Sequence, residues 1–258
     1  MAQDGRWRQG LRRLGKLEAR LILPLPLAGA AFWIFAWLAE EMGEGETHAV
    51  DEAVMLALRT PGDLADPVGP HWLELTARDL TSLGGVPVLM VMTLVTVLYL
   101  LMNRKAGAAL LVTMAVGGAL GLNILLKDFF ARPRPDLVPH GVEVLTNSFP
   151  SGHAMLSAAV YLTLGAMLAR TQPNRRLKAF FLLLALGLTL LIGTSRVYLG
   201  VHWPSDVAAG WTAGAGWALA CWGIARLLRR REPSLDDKPA PAEMRDEAPL
   251  PVSGAPQR

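Results

Sequence analysis

Two histidines and an aspartate stand out by their neighbours. His153 closes the run Pro150-Ser151-Gly152-His153 at the edge of a long apolar stretch, and His202 precedes Asp206 by four residues at the edge of another. That spacing puts both side chains on one face of a helical turn. An aspartate that accepts from one imidazole nitrogen fixes the tautomer and frees the other nitrogen as a nucleophile. Ser151 can cap the helix that follows it, and Gly152 lets a ligand approach the backbone closely. Unpaired N–H groups at a helix start favour an anion such as phosphate, with His153 beside it as a proton donor. Taken alone, each segment also has an ordinary reading: a tight turn or cap for the first, a surface His–Asp pair for the second.

Cations accompany both segments. Lys127, Arg132 and Arg134 share one short stretch with Pro133 and Pro135, and Arg196 follows Ser195 shortly before His202. The prolines stop a helix and hold the chain extended. Arginine offers phosphate a planar fork of donors, and lysine a point charge. By themselves these are also the snorkelling cations of a membrane boundary.

The elements that must position these residues are apolar. Of 258 residues, 52% are hydrophobic and only 18% charged, which points away from a soluble globular protein and towards an all-α, polytopic membrane protein. A helical span needs about 20 apolar residues, and six runs approach this: 21–39, 84–102, 106–126, 154–169, 178–194 and 207–228. The fourth and fifth are short and are expected to begin inside the flanking loops. Gly117, Gly118, Gly121, Gly210, Gly214 and Gly216 suit close helix–helix contact in lipid. The first run contains Pro24 and Pro26 and lacks a small-residue cleavage site after it, so it reads as a retained span rather than a signal peptide. Cys221 is the single cysteine, which excludes an intramolecular disulfide or a cysteine metal cluster; it reads as a small buried hydrophobe.

Orientation follows from lysine and arginine near the span ends. The basic N-terminus (1–20), the connections holding Arg104 and Lys105 and then Arg170, Arg175, Arg176 and Lys178, and the C-terminal Arg226 and Arg229–Arg231 fall on one side of six spans. That side is expected to be cytoplasmic, of a bacterial inner membrane, with both termini there. The membrane domain is expected over 21–231. Residues 232–258, rich in proline and acidic residues, read as a disordered tail. The acidic connection at about 40–83 belongs outside, and its segment 51–58 reads as a short amphipathic helix on the bilayer surface. The third connection is basic yet also falls outside, on the side of the periplasm or cell exterior. Snorkelling cations alone would not gather in the two outer connections that also hold His153 and His202.

Lys127-x6-Arg134-Pro135, then Pro150-Ser151-Gly152-His153, then Ser195-Arg196-x5-His202-x3-Asp206 resemble the three-part signature of the type 2 phosphatidic acid phosphatase superfamily. The resemblance covers 127–206 in detail, and no signature position departs from it. It implies a helical membrane phosphatase in which Lys127, Arg134 and Arg196 hold phosphate oxygens and Ser151 and the Gly152 N–H add hydrogen bonds. His202 would attack phosphorus, Asp206 would orient it, and His153 would protonate the leaving oxygen and then activate water. The cations do what Mg²⁺ does elsewhere, so neither a metal nor another cofactor is expected; Glu74 and Asp79 match no metal-ligand pattern. The substrate would be a lipid phosphate or diphosphate, such as phosphatidic acid, phosphatidylglycerol phosphate or undecaprenyl diphosphate, met at the bilayer and not on nucleic acid.

A phosphotransferase using the same phosphohistidine, or a non-catalytic lipid-phosphate binder, are the alternatives. A binder needs only the cations, so the full His153, His202 and Asp206 set argues against it. Six spans argue against the soluble halide-oxidising relatives. His48 and His71 read as structural or solvated, and His140 as a loop residue with a minor claim on a substrate head group. Asn123 reads as a helix–helix hydrogen bond, and Trp203 as an aromatic anchor at the interface.

Overall fold

Within a bilayer an apolar chain satisfies its backbone by becoming helical, and each apolar run does so. The structure, a computed structural model, describes residues 23–140, 142 and 146–230. Its helices are α1 (Pro24–Glu44), α2 (His48–Ala57), α3 (His71–Ser82), α4 (Val86–Met102), α5 (Ala106–Phe130), α6 (Gly152–Thr171), α7 (Arg175–Tyr198) and α8 (Pro204–Arg230). A small antiparallel hairpin, β1 (Arg59–Thr60) with β2 (Asp63–Pro67), lies between α2 and α3. The six expected runs coincide with α1 and α4–α8. As anticipated, α6 and α7 begin inside the loops before them; Asn174 caps α7 by accepting from the Arg176 N–H at 2.8 Å. The basic N-terminus (1–20) and the tail (232–258) lie outside the described residues.

By length and composition α1, α5, α6 and α7 can each cross a membrane, and α3 with α4, bent by 46° at the break between them, makes a fifth candidate. Helix α4 alone has 17 residues, and α8 has 27. The centre is α6, which packs on α5, α7 and α8, while α1 lies along α8. Met155, Ala159 and Val160 of α6 meet Val112 and Val116 of α5, Leu89 of α4, Ile192 of α7 and Ala213 of α8. Leu94, Val95, Leu125 and Leu183 point outward and exposed, as suits a surface solvated by lipid.

One expectation about packing needs correction, and a second gains detail. A Cβ on Gly214 would stand 2.2 Å from the Met155 carbonyl oxygen, one on Gly118 2.2 Å from the Trp217 ring, and one on Gly210 2.7 Å from the Ser151 carbonyl. Those glycines do let helices close. Gly117 and Gly121 face open space, with nothing within 4 Å of such a Cβ. The second concerns α2. One face of it turns into the protein: Asp51 and Met55 are buried, whereas Val50, Val54 and Leu56 stay exposed. Asp51 has charged and polar partners inside the protein, and these hold its face inward. Overpacking costs about 1–3 kcal/mol. Gly214→Val is therefore expected to lower the melting temperature of the detergent-purified protein by several degrees, and Gly117→Val to leave it unchanged.

Candidate active site

The last turn of α5, the loop after it, the start of α6, the end of α7 and the α7–α8 loop meet around one cavity of about 300 Å³. Lys127, Arg134, Gly152, His153, Arg196 and His202 all line it. Ser151 and Asp206 sit behind this lining, fully buried. A second cavity of about 470 Å³, between α2, α3, α7 and α8, is walled by Leu58, Leu80, Val197 and Trp211 and holds none of these residues.

Each cation is held by neutral acceptors. Lys127 projects from the end of α5 and donates to the Asn147 carbonyl, while the Asn147 amide donates back to the Lys127 carbonyl at 3.1 Å. This pair pins the loop to the helix end. Arg134 donates from Nε to the Thr146 carbonyl and from Nη1 to the Val201 carbonyl, both at 2.7 Å. Burial lowers the guanidinium from its ordinary value, opposed by the charge of Asp206. It stays protonated, as arginine does in proteins. Arg196 is 4% exposed and donates from Nη1 to the Thr81 hydroxyl at 3.2 Å. Its Nε has no protein partner among the described residues. Donors thus remain to be satisfied inside a cavity of strongly positive character.

His202 is buried between these cations and Asp206. Its Nε2 lies 3.2 Å from Arg134 Nη1, and its Nδ1 lies 3.3 Å from the Ser148 hydroxyl and 3.4 Å from Asp206 Oδ2. A proton on Nδ1 leaves the Nε2 lone pair to accept from Arg134 on the cavity side. Burial first, and then the charges of Arg196, Arg134 and Lys127, hold the imidazole well below its usual value. It is therefore neutral at pH 7, the form a nucleophile requires.

Asp206 has more partners than the spacing alone foretells. Its Oδ2 accepts from the Trp203 N–H at 3.0 Å and from the Ser148 hydroxyl, and its Oδ1 from Arg132 Nη1 at 2.6 Å. His202 is the most distant of these neighbours. Arg132 is therefore spoken for by carboxylates, whereas Arg134, two residues on, faces the cavity.

At the head of α6 the expected cap is not made. The Ser151 side chain forms no capping bond, and its hydroxyl is buried without a protein partner among the described residues. Its backbone N–H donates instead to the Asp206 carbonyl at 3.0 Å, tying α6 to α8. A Cβ on Gly152 would stand 3.0 Å from Asn123 Oδ1, so glycine here also lets α5 and α6 approach. Asn123 Nδ2 reaches Met155 Sδ of α6 at 3.6 Å, the interhelical link anticipated for it, and the Pro150 carbonyl just before that helix at 3.4 Å; the residue lines the cavity as well. His153 packs beside Gly84, where a Cβ would stand 3.3 Å from its ring and 2.3 Å from Ile192.

The other residues considered lie off the cavity. His140 donates to the Pro135 carbonyl at 2.7 Å, or Nε2 to O within its own loop. His48 pairs with Glu52 at 2.9 Å and His71 with Glu74 at 3.5 Å. Glu74 is bound to Arg78 at 2.6 Å, and no group of three or more potential metal ligands occurs among the described residues. Trp203 is not an interface anchor: it is 5% exposed, packs with Met55 and Val138, and donates to the Pro133 carbonyl at 3.3 Å. Cys221 is only partly buried. Sequence reasoning missed Ser148, Thr81, Ser205 and the pairing of Asp51 with Arg132. Of these, only Arg132 carried a signal, as a loop cation, and nothing local separated it from Arg134.

Comparison with known proteins bears on this arrangement. The model of the PAP2 superfamily matches residues 106–230. Phosphatidylglycerophosphatase B of Bacillus subtilis (strain 168) is 31% identical over 185 residues, covering 71% of this chain and 87% of that protein. Decaprenylphosphoryl-5-phosphoribose phosphatase of Mycobacterium tuberculosis (strain CDC 1551 / Oshkosh) is 34% identical over 187 residues, 69% of this chain and 89% of the relative. The crystal structure of a transmembrane PAP2-type phosphatidylglycerolphosphate phosphatase from Bacillus subtilis is similar with a TM-score of 0.71 and 29% identity. It matches over 80% of this chain and 98% of that one.

Proposed function

The chain belongs to the PAP2 superfamily, and from that premise we propose that it is a metal-independent lipid phosphate phosphatase working through a phosphohistidine on His202. The observation that carries this reading is the placement of a neutral His202, Nε2 towards Arg134 at 3.2 Å, in one cavity with His153, Lys127 and Arg196.

Lys127, Arg134 and Arg196 hold the phosphate oxygens, with the Gly152 N–H and Ser151 as further donors. Such preorganised donors act most strongly as charge develops, and loss of one costs about 3 kcal/mol in comparable sites. Nε2 of His202 forms a bond to phosphorus as the bond to the leaving oxygen breaks. His153 gives that oxygen its proton. Asp206 stabilises the positive charge that the phosphorylated imidazole acquires. His153, now neutral, takes a proton from water; the hydroxide oxygen bonds to phosphorus, the N–P bond breaks, and inorganic phosphate leaves.

The cavity also has apolar walls, Val86, Leu120, Ile124 and Leu156, which suit a phosphate carried on a lipid. The relatives named above, a phosphatidylglycerophosphatase and a decaprenylphosphoryl-5-phosphoribose phosphatase, support the same class. Phosphatidic acid, phosphatidylglycerol phosphate and undecaprenyl diphosphate fit it. The chain crosses a bacterial inner membrane six times, through α1 and α4–α8, with both termini in the cytoplasm and the cavity at the outer face. The basic connections on one side support that topology.

Purified protein is expected to release phosphate from phosphatidic acid in detergent micelles in the presence of excess EDTA, and His202→Ala to release none while remaining folded. Phosphate release by that variant removes His202 as nucleophile, and a complete loss in EDTA that Mg²⁺ reverses points to a metal mechanism. For the topology, His140→Cys and Asn174→Cys are compared in a Cys221→Ala background in intact cells. An impermeant thiol reagent should label the first and spare the second; the reverse pattern inverts the orientation.

A further inference from the structure

The interaction furthest from the signature is the one that holds its aspartate. Asp206 Oδ1 is bound by Arg132 Nη1 at 2.6 Å, and Arg132 Nη2 is bound by Asp51 Oδ2 at 2.9 Å. The three side chains are 0%, 10% and 2% exposed, so their charges are little screened by salt. Asp51 also reaches the start of α8: its Oδ1 accepts from the Ser205 N–H at 2.8 Å and its Oδ2 from the Ser205 hydroxyl at 2.5 Å. Arg132 donates to that same hydroxyl at 2.8 Å. A carboxylate 154 residues away in sequence thus satisfies an orphan N–H of α8 one residue before Asp206. Asp51 lies outside the stretch 106–230 that matches the family model.

We propose that Asp51 is a positioning residue for the phosphohistidine reaction: paired with Arg132 and Ser205, it fixes Asp206 and keeps that carboxylate's charge directed to His202. The inference rests on the proposed role of His202. Its physical basis is charge balance. Two carboxylates and one guanidinium leave one net negative charge beside the imidazole. Were Asp51 neutral, Arg132 and Asp206 would cancel, and the imidazolium formed on phosphorylation would lose its counter-charge. Asp51 itself does not line the cavity, so substrate binding should not depend on it.

The test is Asp51→Asn, assayed on phosphatidic acid in detergent micelles. The expected result is a fall in kcat of about tenfold, a size typical of coupling between contacting residues, with KM within about twofold. The groups facing His202 are Lys127, Arg134 and Arg196, which disfavour its protonation, together with His153, Ser148 and Asp206. Loss of a negative charge behind Asp206 favours the neutral imidazole further. The acid limb of the pH profile of kcat/KM should therefore move to lower pH, which a merely structural defect would not do. Removing both charges, in Asp51→Asn with Arg132→Gln, should recover part of the loss. Wild-type kcat and acid limb in Asp51→Asn, or losses that simply multiply in the double variant, overturn the proposal. If Asp51→Asn does not fold, Asp51→Glu decides: reduced kcat with an unmoved acid limb supports the proposal, and a moved limb overturns it. Activity in His202→Ala would sink the underlying reading, whereas an inactive His202→Ala beside an unaffected Asp51→Asn sinks this inference alone.

Discussion

Three cations crowd one small cavity around an uncharged imidazole. Lys127, Arg134 and Arg196 repel one another, and burying them costs hydration. The protein offsets this with dipoles rather than charges at the rim: the carbonyls of Asn147, Thr146 and Val201 and the hydroxyl of Thr81. Arg196 Nε and the Ser151 hydroxyl remain without protein partners among the described residues. In the proposed reading a phosphate group would complete this arrangement in both charge and hydrogen bonding. The rest of the fold supplies rigid points from which the donors are aimed: a helix end for Lys127, another for Arg196, a helix start for Gly152 and His153, and two loops for Arg134 and His202.

Two arginines of one loop divide the work. Arg134 meets His202 on its cavity side, and Arg132 meets Asp206 from behind. The His202–Asp206 unit is thus gripped at both ends by residues two positions apart. Ser148 joins the grip by donating to Asp206 beside the imidazole. The connection between α1 and α4 contributes from the far side, through Asp51 to Arg132 and through Thr81 to Arg196. Its helices therefore brace the site.

What the chain reveals before folding follows from the solvent. Lipid requires continuous apolar runs, so the main helices are legible to within a few residues. The residues that gather at the cavity are legible too, because each group sits within a few positions of a helix end. The bracing residues are not. Asp51 meets Arg132 across 81 residues and Ser205 across 154, and no local period encodes such a pair. Glycine faces are hidden for a related reason: a helix apolar all round does not say which side meets protein, so Gly118 and Gly117 read alike although one abuts Trp217 and the other faces open space. Trp203 reads as a boundary aromatic beside His202, but Met55 and Val138 bury it.

The central claim is that the cationic cavity presents phosphorus to Nε2 of His202. The most direct measurement is to quench the enzyme during turnover of radiolabelled phosphatidic acid and map the phosphorylated peptide by mass spectrometry. The account predicts phosphate on His202, labile in acid and stable in base. Phosphate on His153, on Ser151 or on any other side chain would contradict it.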